Sequence, residues 1–349
     1  MKLVRRIVRG TTLLAFFAGT ANASPQLYQH LLDSTGWIVV PRERNSTTGT
    51  CWIVDAQSRL VVTAAHVVLD SPEVLVYFPR TSKGQVIAES GRYLREFDAR
   101  LGRVVHTDTD RDLALVQLVQ APEKIPPLPL APQSARPGET VHSIGNSGAA
   151  RHLTEGILWR YTRGAVRQLF EQKAGPRGSR NVCMIETQSP INDGDSGGAV
   201  VNDDGAVIGV VSFFKSDEQL VSYHVDVREL KLFLAQAAKK TAATENTRLP
   251  PEHDRLLGTW TFHSHSNGNL AASGTSVFRR DGVYVLEPEG EPDNEDPPQR
   301  GRYTFANGIL WLISDDGIAS LPVSWTNPNH FRSRAQTIEF QFERRPPRK

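Results

Sequence analysis

The apolar residues of this chain fall in short runs separated by turn residues. Trp37–Val40, Thr48–Val54, Arg59–Thr63, Leu113–Leu118 and Val207–Ser212 are rich in Val, Ile and Leu and are bounded by Gly, Pro, Asp or Asn. Runs of this kind predict β-strands. Residues 26–34 differ: Leu27 with Leu31 and Tyr28 with Leu32 recur at helical spacing and predict a short helix, on which His30 is an ordinary surface residue. A polar stretch, 239–251, ends in two prolines and reads as a linker. Beyond it the strand pattern resumes. Leu257–Phe262 is a strand, Asp281-Gly282 joins Thr275–Phe278 to Val283–Leu286, and Asn307-Gly308 joins Tyr303–Phe305 to Ile309–Ile313. Asp315-Asp-Gly317 is a further turn, and Thr337–Phe342 closes the pattern. The expected fold class is all-β, in two units, 24–238 and 252–349.

The first nine residues carry four positive charges and no acid. An apolar run around Leu13–Ala18 follows, then Ala21-Asn-Ala23. This is the pattern of a secretory leader cut after Ala23, and the run is too short to span a bilayer. Its removal turns the formal net charge of +2 into −2 and leaves 326 of the 349 residues. The mature chain is expected to be exported, periplasmic or extracellular. It has no basic face for nucleic acid and no later membrane segment. An exported chain can form disulfides, but Cys51 and Cys183 are the only cysteines and make no framework. Two separate thiols are expected.

Candidate chemistry centres on Gly194-Asp-Ser-Gly-Gly198. A serine hydroxyl is a nucleophile only when a base takes its proton, and flanking glycines can turn backbone N–H groups toward an oxyanion. A Gly-rich hairpin turn would have the same composition. His66 follows a β-branched strand and two alanines. Asp112 opens an alternating strand, where a partly buried carboxylate can hold an imidazole Nδ1–H. Asp108 and Asp110, in a polar turn, are expected to be solvated. The remaining histidines show no metal-ligand spacing.

His66 in Thr-Ala-Ala-His, Asp112 in Asp-Leu-Ala-Leu and Ser196 in Gly-Asp-Ser-Gly-Gly occur in the order His, Asp, Ser. This order and these flanks resemble the chymotrypsin-like serine proteases. The nearer resemblance is to the bacterial Deg/HtrA-type trypsin-like peptidases. It is carried by the opening helix and strand, Gly49–Val54, Ile144-Gly-Asn146, Thr154-Glu-Gly156, Gln188–Asn192, Val207–Ser212 and a closing helix at Val227–Ala235. It covers about residues 26–238 and implies a double β-barrel with the triad His66, Asp112, Ser196 in the cleft. It also implies an oxyanion hole from the N–H groups of Gly194 and Ser196, no cofactor or metal, and protein or peptide substrates.

Three departures shape the expectation. Asp195 stands where many Deg/HtrA members have Asn. In zymogen-activated relatives that Asp pairs with a new amino terminus, and no Ile-Val-Gly-Gly activation site occurs here. Pro190 takes the place at the base of the substrate pocket where trypsin has Asp, which disfavours a basic P1 residue. Ser212, Phe213 and Phe214 are assigned to the same pocket; Phe213-Phe214 stand where relatives often have an open Gly, so small or medium apolar P1 residues are expected. Residues 252–345 resemble small lipocalin-like meanders through their Gly-Thr-Trp opening and repeated turns. They show no glycine-rich carboxylate-binding loop of the PDZ kind that Deg/HtrA enzymes usually carry, and this domain could take a ligand or a partner. Glu287–Asp296 is an acid-rich loop without EF-hand spacing. The alternatives are a catalytically silent module on the same fold and a serine esterase. The chain has no Gly-x-Ser-x-Gly elbow, and a silent scaffold needs no complete triad.

Overall fold

The computed structural model describes residues 25–346 except 44–45, 121–124, 176, 215–219, 242–250, 290–297 and 336. The leader, the centre of the linker and most of the acid-rich loop therefore lie outside the described residues. Helix α1 (Pro25–Ser34) buries Leu31 and Leu32. The first closed barrel follows, built from β1 (Thr35–Val40), β2 (Thr47–Asp55), β3 (Leu60–Thr63), β4 (Glu73–Tyr77), β7 (Arg100–Asp108) and β8 (Leu113–Leu118), in the order β1-β2-β3-β8-β7-β4. Every residue of β1 is buried, because one face fills the barrel and the other is covered. Between β4 and β7 lie a ribbon, β5 (Thr81–Ser82) with β6 (Gln85–Val86), and helix α3 (Ser90–Glu96). The one-turn helix α2 (Ala65–Val68) starts directly after β3 and carries His66.

The second closed barrel consists of β9 (Thr140–Gly145), β10 (Arg160–Lys173), β11 (Asn181–Thr187), β12 (Ala199–Val201), β13 (Val207–Phe214) and β14 (Ser222–Asp226). Helix α4 (Val227–Thr241) packs on strands of both barrels; it buries Leu230 and Phe233, and the Phe233 ring stacks on His106 of β7. α4 thus extends three residues into the stretch read as linker, and α5 (Pro251–Leu256) begins at its far end. Cys51 lies in the first barrel and Cys183 in the second. Both are free, and burial raises both thiol pKa values.

The C-terminal unit is a nine-stranded antiparallel sheet: β15 (Gly258–Ser266), β16 (Asn269–Phe278), β17 (Val283–Pro288), β18 (Gln299–Ala306), β19 (Ile309–Ser314), β20 (Gly317–Pro322), β21 (Ser324–Asn327), β22 (His330–Ala335) and β23 (Ile338–Arg344). It curls until β20 packs beside β22. Trp260, Phe262, Phe278, Phe331 and Phe342 fill its interior.

Strand β19 explains how this unit is attached. Its residues Ile309 to Ile313 are all buried, although a half-solvated strand would alternate. Leu310 and Leu312 face the sheet's own core. Ile309, Trp311 and Ile313 instead join the cluster that contains Leu75 and Tyr77 of β4 and Tyr93 and Leu94 of α3. Polar contacts frame this seam. Asn307 donates its N–H to Glu73 Oε2 (3.2 Å), accepts the Glu73 N–H (3.0 Å), and donates through Nδ2 to the Glu73 carbonyl (2.9 Å). Arg302 pairs with Asp98.

Candidate active site

The site is assembled where the two barrels meet. The Thr50 N–H donates to the Ser196 carbonyl at 2.9 Å, which fixes the turn that carries Ser196 against β2. Asp112, at the entrance to β8, is 2% exposed and sits at φ +53°. Its carbonyl accepts the Ala65 N–H (3.1 Å), so the start of α2 is tied to the acid's own backbone. His66 Nδ1 lies 2.9 Å from Asp112 Oδ2, and the His66 backbone N–H donates to Oδ1 at 3.0 Å. An acid on Nδ1 selects the tautomer that leaves Nε2 free to accept a proton.

The fourth contact was not foreseen. The Ser212 hydroxyl donates to Asp112 Oδ2 at 2.5 Å. Ser212, assigned to the substrate pocket from the sequence, has its backbone at the cavity but its side chain on the buried acid. The Ser212 carbonyl accepts the Ser196 hydroxyl at 3.1 Å, so Ser196 Oγ is turned onto Ser212 rather than onto His66. Catalytic hydrogen bonds are often loose without substrate, and one rotation about χ1 redirects this hydroxyl. Ser196 and His66 line one open cavity of about 510 Å³, together with Gly175, Asp193, Ser212, Phe213 and Phe214.

Of the residues assigned to the pocket, Phe213 stacks on Tyr223 with ring centroids 5.0 Å apart, and Phe214 is 37% exposed. Pro190 departs from the expectation: it is exposed and does not line this cavity. Its neighbour Ser189 turns inward instead, 2.6 Å from Thr187 Oγ1, which in turn meets His224 Nε2 at 2.7 Å. Burial lowers the His224 pKa to about 3, so this buried chain of polar groups is neutral.

One further expectation is corrected. Asp108 is not solvated: it pairs with Arg111 at 2.5 Å, and Arg111 also reaches Glu229 of α4 at 2.8 Å. Asp110 accepts from the Ser179 N–H (2.8 Å) and hydroxyl (2.6 Å), with Arg180 beside it, and its pKa falls to about 2. The turn before Asp112 is therefore held by both α4 and the β10–β11 loop. Polarity in the sequence carried no signal for either contact.

Among the described residues Asp195 has no ammonium partner. Its Oδ1 accepts the Ser147 N–H (3.0 Å) and its Oδ2 the Asn192 N–H (2.9 Å). Burial raises its pKa, and these bonds oppose the rise. A Cβ at Gly145 would collide with this carboxylate, so glycine there makes the space. Gly194 adopts φ +95°, a conformation that side chains resist. Among the described residues the N–H groups of Gly194 and Ser196 have no protein acceptor. That is the condition under which they can serve an oxyanion.

Two closed six-stranded barrels with a His–Asp pair and a serine at their junction define a trypsin-like peptidase domain. The family model of the trypsin-like peptidase domain matches residues 49–210. The chain is similar to HtrA-type serine proteases. The serine protease HTRA1B of Danio rerio is 30% identical over 255 residues, covering 71% of this chain and 47% of the relative. HTRA1 of Xenopus tropicalis is 29% identical over 209 residues, covering 59% and 40%. The chain spans less than half the length of these relatives. The active form of the Rv3671c protease of M. tuberculosis superposes with a TM-score of 0.49 at 23% identity, covering 63% of this chain and 87% of that chain.

Proposed function

We propose that this chain is an exported serine endopeptidase that cleaves peptide bonds through an acyl-enzyme. The observation that carries the proposal is the line of contacts His66–Asp112–Ser212–Ser196 bordering an open cavity. Ser196 attacks the scissile carbonyl while His66 Nε2 takes its proton. Asp112 holds the imidazolium, with Ser212 and the His66 backbone N–H satisfying its remaining lone pairs. The N–H groups of Gly194 and Ser196 bind the oxyanion. His66 then gives its proton to the leaving amine, and water repeats the sequence on the acyl-enzyme. Phe213 and Phe214 wall the cavity, which favours small or medium apolar P1 residues. The leader pattern of residues 1–23 supports export.

The test is labelling of the purified chain with a fluorophosphonate probe beside Ser196→Ala. Labelling of the wild type alone is expected, and equal absence from both would sink the proposal. A peptide library is expected to show cleavage after Ala, Val or Leu. Cleavage after Arg or Lys would remove the specificity reading and leave the chemistry standing.

A further inference from the structure

The oxyanion loop rests on a side chain that lies outside the triad. Thr50 is fully buried in β2. Its Oγ1 donates to the Gly194 carbonyl at 2.8 Å and accepts the Asn146 N–H at 3.1 Å, with Asn146 Nδ2 3.2 Å away. Its backbone N–H holds the Ser196 carbonyl, and its own carbonyl accepts the Thr63 hydroxyl at 2.8 Å. Thr50 thus grips both ends of Gly194-Asp195-Ser196.

Asn146 orients that hydroxyl and is itself held. It is fully buried, its Nδ2 also reaches the Gly36 carbonyl (3.3 Å), and its Oδ1 accepts the Trp159 N–H (3.2 Å). A threonine hydroxyl has one proton and two lone pairs. Asn146 supplies only donors to it, so the hydroxyl's single proton goes to Gly194. Glycine has no Cβ to restrict φ and ψ, so the direction of the Gly194 N–H depends on what fixes the neighbouring atoms. The Gly194 carbonyl is fixed by Thr50. The next side chain, Asp195, is fixed by the N–H of Ser147, the residue that follows Asn146.

We propose that Thr50, set by Asn146, is the positioning residue that aims the Gly194 N–H at the oxyanion. In this chain a buried hydroxyl–amide pair and the Ser147 N–H do what an ammonium–Asp195 pair would do in a proteolytically activated enzyme. The inference rests on Ser196 being the nucleophile of a peptidase.

The experiment uses the full chain as wild type, Thr50→Val, Thr50→Ser and Ser196→Ala. The readouts are the rate of fluorophosphonate labelling, and kcat and KM on a leucyl peptide p-nitroanilide. Losing one oxyanion donor costs about 10²–10³ in rate, so a misaimed donor in Thr50→Val is expected to lower kcat by about 10–100-fold with KM nearly unchanged. Thr50→Ser, which keeps the hydroxyl, is expected to stay within about threefold of wild type. If Thr50→Val fails to fold, Thr50→Ala reads the same quantity in a less crowded site. A wild-type kcat in the valine or alanine variant overturns the inference. So does a loss confined to KM, or a serine variant as poor as valine. A wild type that labels no more than Ser196→Ala instead removes the peptidase reading, and the inference with it.

Discussion

The Ser212 hydroxyl lies 2.5 Å from Asp112 Oδ2, making Ser212 a third donor to a carboxylate that already takes two hydrogen bonds from His66. A buried carboxylate is tolerated only when its lone pairs are satisfied. Ser212→Ala leaves one of them open at a site that is 2% exposed. A charge-assisted hydrogen bond contributes about 1.5–3 kcal/mol, so kcat/KM is expected to fall by roughly tenfold or more. Steady-state kinetics on a peptide p-nitroanilide measures it. An unchanged kcat/KM would mean that Asp112 is held by His66 alone.

Gly175 lies on the other side of the same acid. It adopts φ +65°, and a Cβ there would sit 2.5 Å from Asp112 Cγ. Gly175→Ala must therefore push the carboxylate or the β10–β11 loop aside. A displacement near 1 Å can cost about 10²-fold in rate. A loss of that order in kcat, with a melting temperature near that of wild type, is the expected result. Full activity would show that the loop yields while the acid stays in place.

A buried histidine, His224, and a half-buried one, His253, predict how stability depends on pH. Burial lowers the His224 pKa to about 3 and the His253 pKa to about 4. In the unfolded chain both titrate near 6.5. Between these values the unfolded state binds more protons than the native state, so stability rises with pH and is lost as pH falls. Thermal melts are expected to show a falling Tm from about pH 6.5 to pH 4. The slope is expected to be shallower in His224→Gln and in His253→Gln. A Tm that holds constant through that window would contradict the assignment of neutral imidazoles.

Asn307 provides a clean probe of the seam between the C-terminal sheet and the first barrel. Its φ of +56° suits glycine, so Asn307→Gly keeps the turn and removes the side-chain bonds to Glu73 and to the Pro41 carbonyl. Losing buried hydrogen bonds of this kind costs about 1–3 kcal/mol. Trp311→Ala removes a buried ring and is expected to cost about 3–5 kcal/mol. In urea, both variants are expected to lower the midpoint of one transition shared by barrel and sheet. Separate transitions in the wild type would show that the seam does not couple them.

What could be read in advance follows physical lines. His66, Asp112 and Ser196 each sit in a local pattern that advertises a special backbone: a strand end before small residues, a strand entrance, a glycine-flanked turn. The strands around them were visible because apolar runs and turn residues are local signals. Ser179 beside Asp110, Ser147 beside Asp195 and the Glu229 that holds Asp108's partner Arg111 were not, because each is a tertiary neighbour. Glu229 lies 118 positions from Arg111, for example. Pro190 was placed by counting back from the nucleophile, which holds only if the intervening loop keeps its path; here the chain turns Ser189 inward instead. In the C-terminal sheet, the strands closed by Asp-Gly and Asn-Gly turns could be read. Most of 317–335 could not, since β21 is largely exposed and carries little apolar patterning. The uninterrupted apolar run of β19 was visible as a strand, but its second buried face became meaningful only with the barrel it covers.

That second face bears on how such a chain can be inherited. An appended module on a free tether can be exchanged by a crossover in the connecting segment, and each half survives the exchange. Here Ile309, Trp311 and Ile313 belong to a buried cluster that also holds Leu75, Tyr77 and Leu94. A crossover between α4 and α5 would strip those three residues and leave Leu75, Tyr77 and Leu94 without cover. The two halves are therefore constrained to descend together, with substitutions on either side of the seam matched by substitutions across it.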